Sequence, residues 1–486
     1  MRLMLPWRSW VVIGVLMAAI GSAVPAFGQG MYYKEIEKDG RIYVFNNAAR
    51  AALFEQSGEI GIGITKPGAG PKGETVIGDS ERALQLFFFK HGISEPVPEP
   101  TPPIQIVEWR DGKTRITTNL AYLEISNRIQ TRFTQEFPDD LSPLLPGTSA
   151  AGDTRGSFRI RRAKLKLEGW FWIAPEVAPS PRTLPKLSYE VQLNWAALSA
   201  NVGAQPANAG AVLEDANIAW DPQGMGKFRV VFGQYKVPFG RQQMTSSGNQ
   251  QFVDRSLVSD EYERGRDIGV SIQGAIWSNK LEYRAGMFNG NGLNRPSNDN
   301  DKLQYNARLM WQPNGSQVLG QRAWVSGALY SEADFESTTT AIYALGLNFE
   351  RNDFHRTTTG DDLKSTVVAI DGVYKFKGFS TTGEYFFRTR TPETAAEFGS
   401  NGGYLQAGMM LNQFRTWEAA IRYGQREVSD LVDNDDIKET RVALNYYYRR
   451  HSLKFQTDFG VVETGRAAAG GSRQDYELRM QAQFIF

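Results

Sequence analysis

Ten basic side chains stand out by type and spacing. Lys236, Arg241, Arg255, Arg264 and Arg266 crowd into one stretch. Arg128 and Arg132, then Arg162, Lys164 and Lys166, recur at even spacing in two upstream segments. Arginine presents a planar fork of donors that suits phosphate and carboxylate oxygens, and lysine adds a compact point charge. A column of such groups can pass an anion from one site to the next. The opposing chemistry lies in the same region: Asp254, Asp260, Glu261, Glu263 and Asp267 are available to pair with the arginines. Other reactive chemistry is scarce. Cysteine is absent, and the three histidines, His91, His355 and His451, lie far apart without ligand spacing. No metal site, cofactor or nucleophile–base pair is expected. With 54 basic and 53 acidic residues the chain carries +1, which excludes an overall basic nucleic-acid binder.

The elements that must hold these cations are strands. From about residue 105 onward, segments of ten to fifteen residues alternate apolar and polar, separated by Gly, Asn, Asp and Pro clusters. Leu123, Ile125, Ile129 and Phe133 share one parity, while Glu124, Arg128, Gln130 and Arg132 share the other. Ala163, Leu165 and Leu167 oppose Arg162, Lys164 and Lys166. The final segment runs Tyr476, Leu478, Met480, Ala482, Phe484, Phe486 against polar neighbours. Period two means one apolar and one polar face. A soluble sandwich alternates as well. Segment length, aromatic clusters at segment ends (Trp170 to Trp172, Tyr446 to Tyr448) and alternation of tight with long connections favour a membrane barrel. Seventeen candidate segments are found between 121 and 486. Closed single-chain barrels prefer even numbers, and 322–332 and 340–351 cannot both span, so sixteen strands are expected. A chain ending on Phe484 and Phe486 fits a last strand that is read during assembly.

The start of the chain differs. Arg2 and Arg8, the apolar run Val11 to Ile20, and small residues up to Gly28 form a secretory signal peptide, residues 1–28. Residues 29–94 read as a small α/β module: a strand over 41–45, helices over 48–56 and 80–91, and Ser80 as an N-cap. Five prolines within 95–103 make 95–104 a stiff linker before the barrel of 105–486.

Several motifs then occur in order. Phe158-Arg-Ile-Arg-Arg-Ala-Lys-Leu-Lys-Leu-Glu-Gly169 is followed by Leu213-Glu-Asp-Ala216, Phe232-Gly-Gln-Tyr-Lys-Val-Pro-Phe-Gly-Arg241, Phe252-Val-Asp-Arg-Ser256 and Arg266-Asp-Ile-Gly269. This series resembles the phosphate-selective porin O and P family. The likeness extends more weakly along 105–486 and does not cover 29–104. It implies a homotrimeric sixteen-stranded channel in the outer membrane of a Gram-negative-type cell, surrounded by its lipid. It also implies that the third external loop, about 238–265 here, folds inward and narrows the pore.

The expected function is passive diffusion of small hydrophilic solutes, with anions such as phosphate the specific candidate. The ten basic residues are then the constriction candidates. Residues 105–486 carry 44 basic and 43 acidic side chains, the chain's totals less ten of each before residue 105. The barrel as a whole therefore makes no anion-selective field, and a non-selective general porin is the first alternative. A structural tether acting through the N-terminal module in the periplasm is another, although the sequence names no partner for it. An enzyme is not expected, because neither His355 nor His451 has a serine and an acid at strand spacing. Pro238-Phe239-Gly240 reads as a turn device.

Overall fold

The computed structural model describes residues 32–61, 63–93, 106–110, 113–118, 121–139, 154–172, 186–196, 212–223, 226–313, 329–336, 339–356, 360–465 and 471–486. The signal peptide and the proline linker lie outside these residues. The chain divides into two compact units, 1–102 and 103–486.

The first unit is a four-stranded sheet with two helices. Strands β1 (Lys34–Lys38), β2 (Arg41–Phe45), β3 (Ile64–Lys66) and β4 (Thr75–Gly78) take the order β1-β2-β4-β3. Strand β2 runs parallel to β4, and the crossover between them contains the helix Ala48–Ser57. Asn47 caps that helix by accepting from the N–H groups of Ala49 and Arg50. Ser80 caps the helix Glu81–His91 through Ala83. Val44, Val76, Leu84 and Phe87 form the buried centre. The sequence did not single out β1 and β4, which are short and bounded by charged or glycine residues.

The second unit is a closed antiparallel barrel. A hairpin of β5 (Ile106–Arg110) and β6 (Lys113–Thr117) comes first and pairs with the start of β7. The sixteen wall strands are β7 (Ala121–Phe137), β8 (Arg155–Trp172), β9 (Lys186–Asn194), β10 (Val212–Asp221), β11 (Arg229–Lys236), β12 (Arg266–Ile276), β13 (Leu281–Phe288), β14 (Gln304–Trp311), β15 (Ile342–Arg356), β16 (Asp361–Phe376), β17 (Phe379–Pro392), β18 (Phe398–Met410), β19 (Trp417–Arg426), β20 (Ile437–Arg449), β21 (Leu453–Gly465) and β22 (Ser472–Ile485). Each pairs with its neighbour in sequence. Strand β22 closes the ring on β7, from Tyr476 opposite Phe137 to Ile485 opposite Arg128. Closure leaves no strand edge, which a bilayer requires because it offers backbone groups no water.

Side chains alternate as the sequence pattern demands, but inside out. Leu345, Leu347, Ile370, Leu405, Ile421 and Val442 stand exposed on the outer wall. Asn348, Asp371, Gln406, Arg422 and Arg441 point inward and are buried. One irregularity matters. Gln130 pairs with Arg162 and Thr131 with Ile160, so Arg161 is an extra residue in β8. That bulge shifts the parity and keeps Phe158 and Ile160 on the apolar outer face.

One end of the barrel carries tight turns. The pair Phe376–Phe379 brackets Lys377 and Gly378, both at positive φ (48° and 89°), the two-residue hairpin geometry that matches strand twist. The other end carries longer connections, including 237–265 between β11 and β12. The connection 312–341 between β14 and β15 is long yet leaves from the tight-turn end. Its described segment, 329–336, is tied down inside the barrel and contains no strand, and the wall strand of this region is β15, which covers most of the candidate 340–351.

The ring is sealed beyond the last strand pair. Asn127 N–H donates to the Phe486 carbonyl at 2.6 Å, Phe486 N–H donates back at 3.0 Å, and Phe484 stacks on Phe486 at 4.9 Å. Deleting Phe486 removes both bonds and the stack. Less heat-modifiable, folded barrel should then be recovered, measured by gel mobility before and after boiling. Equal recovery would show that closure does not depend on the terminal residue.

Candidate functional site

The long loop 237–265 is built to lie inside the barrel. Its base is closed by Val237 N–H to the Gly265 carbonyl at 3.0 Å. The chain then turns at Gly240, whose φ of 68° favours glycine. A Cβ there would fall 1.9 Å from Glu263 Oε1, so the turn and the loop's return limb touch at this point. Two short helices follow, Arg241–Met244 and Leu257–Tyr262, the second capped by Ser256.

Carboxylates of the wall hold the loop by its backbone. Glu384 accepts from the N–H groups of Arg241 (2.6 Å) and Gln242 (2.7 Å). Asp458 accepts from Val253 N–H at 3.0 Å, and Glu439 from Leu257 N–H at 3.2 Å. Apolar contacts reinforce them. Phe239, Val258 and Tyr262 join a buried cluster with Phe386 and Tyr404, and Tyr262 stacks on Phe386 at 5.1 Å. All of these wall residues lie on β17 to β21. The loop therefore covers that side of the lumen and leaves a passage along the opposite wall.

That passage is a cavity of about 520 Å³ lined by β7 to β13, the loop and Tyr330. Ten of its lining residues are basic: Arg128, Arg161, Arg162, Lys164, Lys166, Arg229, Lys236, Arg255, Arg266 and Arg284. Four are acidic: Glu168, Glu190, Glu214 and Asp215. The near-neutral barrel thus conceals a local surplus of six positive charges. The mean charge misled because the acids lie elsewhere, on the loop-bearing wall and in the loop itself.

Some of the cations are paired. Arg266 holds Asp215 through two bonds of 2.9 and 2.8 Å and lies 3.2 Å from Glu214. Lys164 also binds Glu214. Lys166 lies between Glu168 (2.7 Å) and Glu190 (3.2 Å). Arg284 pairs with Glu282 at 2.8 Å. Arg161 and Arg162 approach Asp254 at 3.4 and 3.8 Å. Three others are held by neutral oxygens. Arg128 donates to Ser247 Oγ (3.0 Å) and Ser246 Oγ (2.9 Å). Lys236 donates to the Gln243 carbonyl (2.6 Å) and the Thr245 carbonyl (3.2 Å). Arg255 donates to the Gln242 carbonyl (3.1 Å) and the Thr245 carbonyl (3.3 Å). The loop glycine Gly248 permits the first of these arrangements, since a Cβ there would sit 2.7 Å from the Arg128 guanidinium.

Seven of the ten residues expected from sequence line the passage. Three do not. Arg241 is buried behind the loop, donating Nε to Asp371 at 2.8 Å and Nη1 to the Leu329 carbonyl at 2.9 Å. It is a pin for the loop, not a wall of the path. Arg132 is likewise buried, bound to Asp254 at 2.5 Å and to the Val253 carbonyl at 3.1 Å. Arg264 lies on the return limb, with its guanidinium over Phe354 and 3.9 Å from Glu350. Spacing could not separate loop residues that face the passage from those that face the wall behind it. Arg161, Arg229 and Arg284 were missed. For Arg229 and Arg284, the signal was available in strand parity, alongside Val231 and Glu282. For Arg161, the bulge hid it.

The acids expected to neutralise the loop are mostly engaged elsewhere. Glu261 binds Arg388 (2.8 Å) and Arg426 (3.2 Å) on the wall. Asp267 accepts from Gly290 N–H (2.8 Å) and Gly292 N–H (3.0 Å). Glu263 accepts from Gln243 N–H at 3.2 Å. Asp254 comes within ion-pair distance of the passage arginines Arg161 and Arg162, while Asp260 and Glu263 act on Arg255 from farther away.

A closed sixteen-stranded barrel with an apolar outer wall, a charged lumen and an inward loop defines an outer-membrane diffusion channel, a porin. The model of the family "Phosphate-selective porin O and P" matches residues 143–486, and the chain belongs to that family. Among solved structures, the outer-membrane channel DcaP of Acinetobacter baumannii shares the fold with a TM-score of 0.51 at 9% identity, over 75% of this chain and 97% of its own. An anion-selective porin from Comamonas acidovorans gives 0.49 at 11% identity, over 75% of this chain and 100% of its own. Family and fold are those of channels, not of enzymes.

Replacing Arg241 with Leu separates pin from path. Breaking a buried pair from one side costs about 3–5 kcal/mol. Arg308, which also binds Asp371, should hold the loss near the low end. The variant should unfold at lower temperature and be cut more readily by protease within 238–265, while its reversal potential keeps the parent's sign. Unchanged unfolding with an altered reversal potential would return Arg241 to the passage.

Proposed function

We propose that this porin prefers anions, and that oxyanions such as phosphate are its specific solutes. The observation that carries the reading is the group Arg128, Lys236 and Arg255. Among the described residues these three line the passage without a carboxylate partner, held by serine hydroxyls and backbone carbonyls. Neutral acceptors fix their geometry but leave their charge. At an effective dielectric of about 20, an anion about 6 Å from one such group gains about 3 kcal/mol, several times the thermal energy. The three lie on β7, β11 and the inward loop, so they bracket the path from wall and loop together. A ring of one sign at a constriction is how wide pores select ions. The paired cations beyond them weaken an anion's hold, which lets it leave.

A general porin is the second reading, favoured by the paired cations of β8 and by Asp254 beside Arg161 and Arg162. We also read the chain as a homotrimer, from the family, and residues 29–94 as a periplasmic module reached through the signal peptide and the proline linker. Its compact core suits a separable domain.

Reversal potential in a salt gradient tests the selectivity. The parent should favour chloride over potassium. Lys236→Glu and Arg255→Glu should each move the reversal potential toward cations, and the pair further. Phosphate should block chloride current in the parent and less in either variant. A parent that already prefers cations, with no phosphate block, leaves the general porin.

A further inference from the structure

The passage has a second narrowing element that enters from the opposite end. The connection 312–341 leaves from the tight-turn end of the barrel, and its segment 329–336 is tied down inside. Glu332 N–H donates to the Asn249 carbonyl at 2.8 Å, and the Glu332 carboxylate accepts from Gln251 N–H at 2.6 Å. Lys375 Nζ donates to the Ala333 carbonyl at 2.8 Å, and Gly378 N–H donates to Asp334 at 2.8 Å. The segment thus grips both the wall and the tip of the inward loop.

Its Tyr330 reaches the passage. The ring lies 5.6 Å from the Arg241 guanidinium and 5.7 Å from that of Arg284. Its hydroxyl donates to Glu282 at 2.8 Å. Three contacts therefore hold an aromatic plate against a lining that is mostly charged or polar and that holds one other aromatic ring, Tyr235. Such a plate cannot bind an anion, because its faces carry negative charge density. What it does is occupy space and steady Arg284.

We infer that Tyr330 is a size-determining residue of the channel, and that segment 329–336 forms a second constriction, built from the tight-turn end against the inward loop. The ring sets the width of the path beside Arg229 and Arg284, where a large hydrated solute must pass after the cation group. The hydroxyl contributes by orienting the ring, so bulk carries the effect.

Single-channel recording with chloride and gluconate salts tests this. Tyr330→Ala should raise chloride conductance above the parent's and should raise gluconate permeability relative to chloride. Tyr330→Phe keeps the bulk and should stay near the parent in both. Heat-modifiable mobility shows that each variant folds. Conductance and size discrimination in Tyr330→Ala equal to the parent's would overturn the inference. So would a Phe variant that behaves like Ala. The sign of ion selectivity is read separately, so cation preference in the parent would sink the anion reading without touching this one.

Discussion

Everything in the lumen depends on backbone N–H groups of a loop finding acceptors inside a barrel. A loop folded into a pore leaves its amides facing a wall, and unpaired they would each carry a desolvation cost. Here the wall answers with carboxylates. Glu384 takes two adjacent amides at the loop's first turn, and Asp458 and Glu439 take one each farther along. These contacts draw the loop onto β17 to β21. The eccentric passage, its surplus of positive charge and its width all follow from that displacement.

Charge in the lumen is consequently divided into two kinds of work. On the loop-bearing side, arginines such as Arg241 and Arg422 are buried and matched to acids. Replacing buried pairs of this kind costs stability from one side and little from both, so they specify geometry more than they stabilise. On the open side, the pairing is incomplete, and that incompleteness is the basis of the proposed selectivity.

Much of this was legible in the sequence, because a barrel wall repeats a local rule. Alternation from Tyr122 to Phe133, or from Tyr476 to Phe486, reports strand and face without knowledge of any partner. The inward loop was legible through the likeness of residues 232–241 and 252–269 to family motifs. The division of its cations was not. Arg241 and Arg255 differ little in local sequence, yet one is sealed against Asp371 and the other faces the path. That difference is set by residues more than a hundred positions away, across the barrel. The same holds for Tyr330, whose segment reads by pattern as one more strand. Its place inside depends on Asn249, Gln251 and Lys375, contacts that no period reveals.

The one-sided anchoring of the loop has a consequence for how such a channel can diversify. Acceptors for the loop's backbone sit on β15, on β17 to β21 and on segment 329–336, while the cations of the passage sit on β7 to β13 and on the loop. Inheritance can therefore revise the two sets independently. Exchanging Lys164, Lys166 or Arg229 rewrites what the path attracts without loosening any backbone anchor, so new solute preferences are reachable by single steps through folded intermediates. The anchoring wall, by contrast, tolerates change only in matched pairs.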